Sequence, residues 1–146
     1  MSNEKYIWNF FKSQGFTDAG IAGIIGNLYA ESGLSPINLQ NTYNKSLNLS
    51  DEEYTAAIDN GKYKNFIKDS AGYGLAQWTF WSRKQNLYNY AKSKGTSIGN
   101  LQTQLEFLMS ELSGYKNLLT LLKGTTSIQE ASDAFLTQFE RPADMS

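Results

Sequence analysis

The stretch that decides the fold lies at residues 17–33 and reads TDAGIAGIIGNLYAESG. Thr17 can cap a helix, and the apolar and small residues behind it predict that this helix runs to about Glu31. Three glycines interrupt the apolar pattern, and each costs about 1 kcal/mol relative to alanine inside a helix. They are Gly20, Gly23 and Gly26. Their regular spacing predicts that another segment packs closely against this helix.

Glu31 stands at the end of this apolar stretch and is the candidate catalytic residue. A carboxylate held there is expected to lose hydration, which disfavours its charged form and predicts a raised pKa. A general acid that works near neutral pH needs such a pKa. The alternative is an ordinary exposed glutamate, although a negative charge is unfavourable near the C-terminal end of a helix.

A second stretch, residues 72–78 with the sequence GYGLAQW, combines glycines, aromatic rings and an amide. Gly72 and Gly74 allow the backbone to approach a ligand closely, and Gln77 offers both a donor and an acceptor. Three nearby aromatic side chains could stack on sugar faces or could belong to the core. They are Tyr73, Trp78 and Trp81. Together with Glu31, this turn suggests a glycosidase.

Glycoside hydrolysis usually needs a second carboxylate as base, nucleophile or electrostatic stabiliser. Asp69 precedes the glycine-containing turn and is the better candidate for this role. Asp51 is better explained by a capping box that begins at Ser50. Glu140 could equally form a local ion pair with its neighbour.

Composition limits the other function classes. The chain has 146 residues, 40% of them apolar, which is the size of one domain with a real core. Its net charge is −1 and it has no basic block, which argues against nucleic-acid binding and against attraction to anionic membranes. There is no apolar run that could span a membrane and no recognisable signal peptide.

The chain contains no cysteine and no histidine. This excludes disulfides, thiol catalysis, serine–histidine triads and the usual zinc sites. The chemistry must therefore use carboxylates, hydroxyls, amides or lysines, and we expect neither a metal nor another cofactor.

Hydrophobic periodicity and capping residues predict helices nearly throughout. Residues 32–49 are expected to form a loop, and residues 60–80 an irregular segment with turns and at most a small hairpin. The other predicted helices cover Glu4 to Ser13, a Ser50-capped segment to Asp59, a Ser82-capped segment ending at Gly95, Leu101 to Leu112, Tyr115 to Leu122, and a Ser127-capped segment to Phe139.

The two stretches together resemble the phage tail lysozyme family. The residues that carry this resemblance are Ala30-Glu31-Ser32-Gly33-Leu34 and, at 70–79, the sequence SAGYGLAQWT. The same elements are similar to those of goose-type lysozymes and soluble lytic transglycosylases. The resemblance extends from about Tyr6 to Arg141.

The resemblance implies a mostly α, lysozyme-like domain with a central cleft and an irregular or small β-hairpin insertion. The expected substrate is bacterial peptidoglycan, cut at the β-1,4 bond between N-acetylmuramic acid and N-acetylglucosamine. Glu31 matches the general acid, and Asp69 falls near an aspartate of the goose-type enzymes. The expected substrate-binding residues are Ser32, Tyr73, Gly74, Leu75, Gln77, Trp78 and Thr79.

Thr79 stands where a further aspartate of the goose-type pattern would be, which leaves the identity of the base open. Lytic transglycosylases need no base, so a product with a 1,6-anhydro end is the alternative. A further alternative is a non-catalytic module that binds the bacterial cell wall.

The resemblance also implies a catalytic domain at residues 1–141. Residues 142–146 would then begin a linker to a further domain. A monomer located in a phage tail or released to the cell wall is expected.

Overall fold

The computed structural model describes residues 1–145, with side chains through residue 143, and is built almost wholly from helices. The predicted mostly α fold is confirmed. The helices are α1 (Asn3–Ser13), α2 (Asp18–Ser32), α3 (Asn41–Leu47), α4 (Asp51–Asp59), α5 (Trp81–Lys94), α6 (Leu101–Leu112), α7 (Lys116–Gly124), α8 (Ile128–Phe135) and α9 (Arg141–Met145), with a π-helical turn, Leu136–Glu140, before the last. None of the described helices is both long and apolar enough to cross a membrane.

Helix α2 lies at the centre of the fold and packs against α1, α7 and α8. A methyl group on Gly23 would lie 2.6 Å from the Ala131 side chain, and one on Gly20 would lie 2.0 Å from the Leu122 carbonyl oxygen. Close packing is therefore confirmed at these two glycines. Gly26 has no neighbour within 4 Å of such a methyl group, so the prediction is wrong there.

The capping signals predicted several helix boundaries correctly. The Thr17 hydroxyl accepts from the Gly20 N–H at the start of α2. Ser50 and Glu53 form both hydrogen bonds of a capping box at the start of α4. Gly95 ends α5 in the left-handed conformation. These local signals succeed because each satisfies backbone groups that the helix end leaves without partners.

Two element predictions are wrong. The segment at 32–49, expected to be a loop, contains α3, which has no side-chain N-cap and no buried residue. The Ser82 cap is also wrong, because α5 already begins at Trp81 and its N-cap residue, Phe80, supplies no side-chain hydrogen bond. Neither helix start carries the capping chemistry from which a boundary can be predicted.

Residues 60–80 are irregular, as predicted, apart from isolated antiparallel bridges. Tyr73 pairs with Trp78 and also with Leu39. These bridges are the small β element of the fold, and they join the glycine-containing turn to the segment that follows α2.

The C-terminal part is helical through Met145. Ser127 caps α8 as predicted, but the α-helix ends at Phe135 and gives way to the π-helical turn. The linker expected at 142–146 stays a prediction, and Ser146 lies outside the described residues.

Candidate active site

Glu31 lies one residue before the end of α2, on the wall of a pocket of about 450 Å³ that we call the Glu31 pocket. Gly33 adopts the left-handed conformation with φ +62° and donates its N–H to the Tyr29 carbonyl oxygen, which ends the helix just beyond Glu31. The Glu31 side chain is exposed, and its carboxylate has no hydrogen-bond or ion-pair partner among the described residues. The prediction that this carboxylate loses hydration is therefore wrong.

The opposite wall of the Glu31 pocket is formed by polar residues that the sequence reasoning missed. They are Asn38, Gln40, Asn41 and Thr42. They were missed because this segment was predicted to be a featureless loop. The available signal was their chemistry, since three amides and a hydroxyl within five residues supply many donors and acceptors.

The glycine-containing turn at 72–78 holds this wall through the backbone. The N–H of Gly74 donates to the Asn38 carbonyl oxygen at 2.9 Å. Gly72 exchanges two hydrogen bonds with Gln40, because its carbonyl oxygen accepts from the Gln40 N–H and its own N–H donates to Gln40 Oε1. Gly74 has φ +84°, and an added methyl group would lie 2.9 Å from the Gln104 side chain. This position therefore requires glycine.

Gln77 lines the Glu31 pocket, so the structure brings these two predicted site residues together. Gln77 adopts the left-handed region with φ +50°. Its Nε2 donates to the carbonyl oxygens of Asn38 at 2.9 Å and Gly74 at 3.1 Å. The amide is thus held in place by the turn and the opposite wall.

Ser32 and Leu75 connect α2 to the turn. The Ser32 hydroxyl donates to the Leu75 carbonyl oxygen at 2.8 Å, and the Leu75 N–H donates to Gln104 Oε1 at 3.0 Å. Leu75 is fully buried, so its side chain cannot reach a ligand, and its expected place among the substrate-binding residues stays a prediction for its backbone alone. Ser32 lines the pocket but is itself buried, so its main contact is this internal bond.

Tyr73 and Trp78 are core residues. Both are fully buried, so neither ring can stack on a sugar, which corrects that expectation. The Tyr73 hydroxyl pairs with the Thr55 hydroxyl at 2.6 Å. Trp78 Nε1 donates to Glu111 Oε1 at 2.9 Å, and Arg83 also pairs with this carboxylate.

Trp81 is the aromatic residue of this region that is accessible, with 58% of its surface exposed. It lines a second pocket of about 660 Å³, the Trp81 pocket, together with Thr79 and Phe80. The Thr79 hydroxyl donates to the Gln77 carbonyl oxygen at 2.9 Å. Thr79 and Gln77 therefore connect the Trp81 pocket with the Glu31 pocket.

Asp69 does not line the Glu31 pocket, and its side chain is only 6% exposed. One carboxylate oxygen accepts from the Ala71 N–H at 2.9 Å and from Lys84 Nζ at 2.7 Å. The other accepts from the hydroxyls of Tyr54 at 2.6 Å and Tyr63 at 2.8 Å. These four donors fill the acceptor capacity of a carboxylate. The expected role of Asp69 in activating water is not supported by this geometry.

The charges and phenols around Asp69 are perturbed by burial. Burial lowers the pKa of Lys84, because the ammonium loses hydration, and the bond to Asp69 opposes this change only in part. Burial and then the hydrogen bond to Asp69 raise the pKa values of Tyr54 and Tyr63. Lys84 also donates to the Ala71 carbonyl oxygen at 2.7 Å, so the cluster holds both backbone groups of Ala71.

Glu31 is the sole carboxylate among the described residues that line its pocket. The described part of the chain also contains no group of three or more acidic, histidine or cysteine residues that could hold a metal ion. The pocket thus offers one carboxylate surrounded by amides and a hydroxyl.

The chain is similar to known proteins over nearly its whole length. Residues 2–146 match the protein family described as phage tail lysozyme. Morphogenesis protein 1 of Bacillus phage B103 is 27% identical over 150 residues, which cover 97% of this chain and 34% of that protein. The chain therefore spans about a third of the length of this curated relative.

Proposed function

Because the chain belongs to the phage tail lysozyme family, we propose that it is an N-acetylmuramidase with Glu31 as its general acid. Membership implies a glycosidase-type enzyme that cleaves cell-wall peptidoglycan. The proposal specifies the bond that is cleaved, the β-1,4 linkage between N-acetylmuramic acid and N-acetylglucosamine. The observation that carries it is the exposed Glu31 carboxylate at the end of α2, the single described carboxylate in a pocket lined with amides.

The chemistry of the pocket supports a sugar ligand. Its volume of about 450 Å³ falls within the range of small-molecule sites. Asn38 and Gln40 each use one amide N–H inside the protein and keep the second, while both N–H groups of Gln77 are used and its Oε1 remains as an acceptor. These remaining groups can pair with the hydroxyl and N-acetyl groups of amino sugars. The exposed ring of Trp81 can stack on a sugar face in the neighbouring pocket. This assigns to Trp81 the role that the buried Tyr73 and Trp78 cannot perform.

In the proposed reaction, Glu31 donates its proton to the glycosidic oxygen while the bond between that oxygen and C1 breaks. The oxygen of the substrate's own N-acetyl group then bonds to C1, as in glycosidases that use substrate assistance. A water oxygen next attacks C1 and displaces the N-acetyl oxygen, and the Glu31 carboxylate takes the water's proton. This sequence needs a single carboxylate. Asp69 is proposed instead to fix the backbone at Ala71.

Replacing Glu31 with glutamine tests the proposal. Glu31→Gln should keep the fold, because the side chain is exposed, and should reduce release of soluble fragments from purified cell walls by about 10²–10⁴-fold. Glu52→Gln is the matched control, since Glu52 is also an exposed helical glutamate and lies outside the Glu31 pocket. Activity close to wild type in Glu31→Gln would remove Glu31 from the mechanism.

A lytic transglycosylase is the second candidate, because its reaction likewise needs only the one carboxylate found among the described residues of the Glu31 pocket. In that reaction the C6 hydroxyl oxygen, rather than water, bonds to C1, and Glu31 takes the hydroxyl proton. Mass spectrometry distinguishes the two, because the 1,6-anhydro product is lighter by one water than the reducing-end product. Binding to cell walls without release of any fragment would instead indicate a non-catalytic binding module.

The place of action is also a proposal. The relative from Bacillus phage B103 is named for morphogenesis, and the family is one of phage tails. We therefore propose that this chain acts on the bacterial cell wall, either as part of a phage tail or after release. Action as a monomer is part of the same proposal.

A further inference from the structure

Three lysines are close in sequence in the segment that precedes the glycine-containing turn. They are Lys62, Lys64 and Lys68, which we call the lysine face. All three side chains are exposed, and none of them forms an ion pair with a described residue. The net charge of −1 for the whole chain conceals this local concentration of positive charge.

The acidic residues nearest in sequence do not neutralise the lysine face. Asp69 is engaged by the buried Lys84 and by three further donors. Asp59, on the other side, accepts from Ser97 and from the Ile98 N–H. The segment therefore presents its lysines to solvent without a compensating charge from these two carboxylates.

The lysine face borders two pockets. Lys68 lines the Trp81 pocket, and Lys64 lines a further pocket of about 310 Å³ that also contains Tyr88. Ile67 lines both pockets, so they are neighbours along one surface. The Trp81 pocket is in turn connected to the Glu31 pocket through Thr79 and Gln77. The lysine face thus borders two pockets with apolar and aromatic lining, and a residue of one of them is bonded to a residue of the proposed active site.

We propose that the lysine face binds the acidic peptide stems that branch from the N-acetylmuramic acid residues of peptidoglycan, so that the protein recognises peptide-bearing strands. This inference rests on the proposed function, which supplies the substrate class. The lysines complement the stem carboxylates, and the pockets at Ile67 and Trp81 accommodate the alkyl side chains of the peptide. An anionic phosphate polymer would use the charges but would leave the apolar walls unfilled.

The test measures binding by calorimetry in the Glu31→Gln background, where cleavage is expected to be absent. Soluble glycan strands from one wall preparation are divided, and an amidase removes the peptide stems from one half. The variants compared are Lys64→Gln with Lys68→Gln, and a matched control, Lys5→Gln with Lys116→Gln. Both control lysines are exposed and lie on α1 and α7, outside the three pockets.

We expect peptide-bearing strands to bind about three- to tenfold more tightly than stripped strands at low salt, as for two exposed charge pairs. The preference should shrink as salt is raised, disappear in the Lys64/Lys68 variant and remain in the control. In active protein the Lys64/Lys68 change should raise KM for peptide-bearing substrate and leave kcat nearly unchanged.

Equal affinity for the two kinds of strand would overturn the proposal, as would a preference that survives in the Lys64/Lys68 variant. Loss of affinity for an isolated phosphate polymer, without any preference for peptide-bearing strands, would assign the lysines to that polymer and also overturn it. Failure of the muramidase proposal is detected separately, either as absence of soluble fragments from the wild-type protein or as fragments that carry 1,6-anhydro ends instead of reducing ends.

Discussion

Glu31 and Asp69 are both carboxylates beside turns, and the structure gives them opposite surroundings. Glu31 is exposed and its carboxylate has no partner among the described residues. Asp69 is almost completely buried and accepts four hydrogen bonds. Proton transfer to substrate needs a carboxylate that can reach the ligand, whereas a saturated, buried carboxylate holds structure together. The division of roles between the two residues follows from their accessibility.

Asp69→Asn should reduce stability strongly. The change leaves the Lys84 ammonium buried without its counter-charge, and breaking such a pair costs about 3–5 kcal/mol. Urea unfolding measures the loss. The double variant Asp69→Asn with Lys84→Met should recover part of it, because both charges are then removed. At temperatures where Asp69→Asn is folded, its turnover number should stay close to wild type.

An Asp69→Asn protein with unchanged stability and abolished turnover would contradict this interpretation. Asp69 would then act on the substrate, as the sequence reasoning had expected. Measuring stability and turnover in the same variant therefore separates the structural role from the catalytic one.

Individual site residues could be predicted only where local sequence determines their position. Glu31 and Gln77 were expected in one site and do line one pocket, because a helix end and a glycine-containing turn are local features. The burial of Trp78 depends on Glu111, which is distant in sequence, and no local pattern reveals that contact. Asn38 and Gln40 were missed for the same reason, since their position depends on backbone bonds to the turn.

At the scale of elements, α2 packs closely against α8 at one of its glycines and not at another. A methyl group on Gly23 would lie 2.6 Å from the Ala131 side chain and equally close to the Ser132 backbone nitrogen of α8. The same group on Gly26 would meet nothing within 4 Å. One helix thus contains two glycines that differ almost entirely in their packing environment.

Gly23→Ala should lower the free energy of unfolding by about 1–3 kcal/mol, because α8 must move away from α2. Gly26→Ala is the control within the same helix, and it should raise stability by up to about 1 kcal/mol through helix propensity alone. Urea unfolding of both variants tests the pair. Equal effects of the two changes would show that α2 and α8 are not packed as closely as described.

Most helices could be predicted because each carries either an apolar stripe or a capping residue, as α4 and α6 do. Helix α3 has neither, and its sequence, NTYNKSL, is rich in residues of modest helix propensity. The π-helical turn after α8 could not be predicted either. Its occurrence depends on how the chain packs, and it has no sequence signature of its own.

At the scale of the whole molecule, buried tyrosines make the free energy of unfolding depend on pH in the alkaline range. Burial raises the pKa values of Tyr54 and Tyr73 above the ordinary value of 10.0. Above about pH 10 the unfolded chain therefore loses protons that the folded protein keeps, and the free energy of unfolding falls as pH rises. Lys84 has the opposite effect on the free energy of unfolding. Its pKa is lowered in the folded protein, so the unfolded chain binds more protons there as pH rises towards 10.5, and stability increases. Beyond that pH the tyrosines act alone.

Stability should therefore fall above about pH 11 by about 1.4 kcal/mol per pH unit for each tyrosine that stays protonated in the folded protein. Urea unfolding at a series of alkaline pH values measures this slope. Tyr54→Phe should make the slope shallower by the contribution of one tyrosine, about 1.4 kcal/mol per pH unit. Tyr29→Phe, which changes a ring that is 67% exposed, should keep the wild-type slope. A Tyr54→Phe slope equal to that of wild type would contradict the assignment.

The buried hydrogen bond from Ser32 to Leu75 predicts that the parts of the Glu31 pocket differ in flexibility. Because this buried bond joins the end of α2 to the turn, Glu31 and Gln77 belong to one stiff body. Asn41 and Thr42 instead lie on α3, which has no buried residue. We expect α3 amides to exchange hydrogen faster than those of α2, and equal protection would contradict this. A glycan would then meet a rigid side formed by the end of α2 and the turn, and a more flexible edge at Asn41 and Thr42 that can adjust to peptidoglycan of different composition.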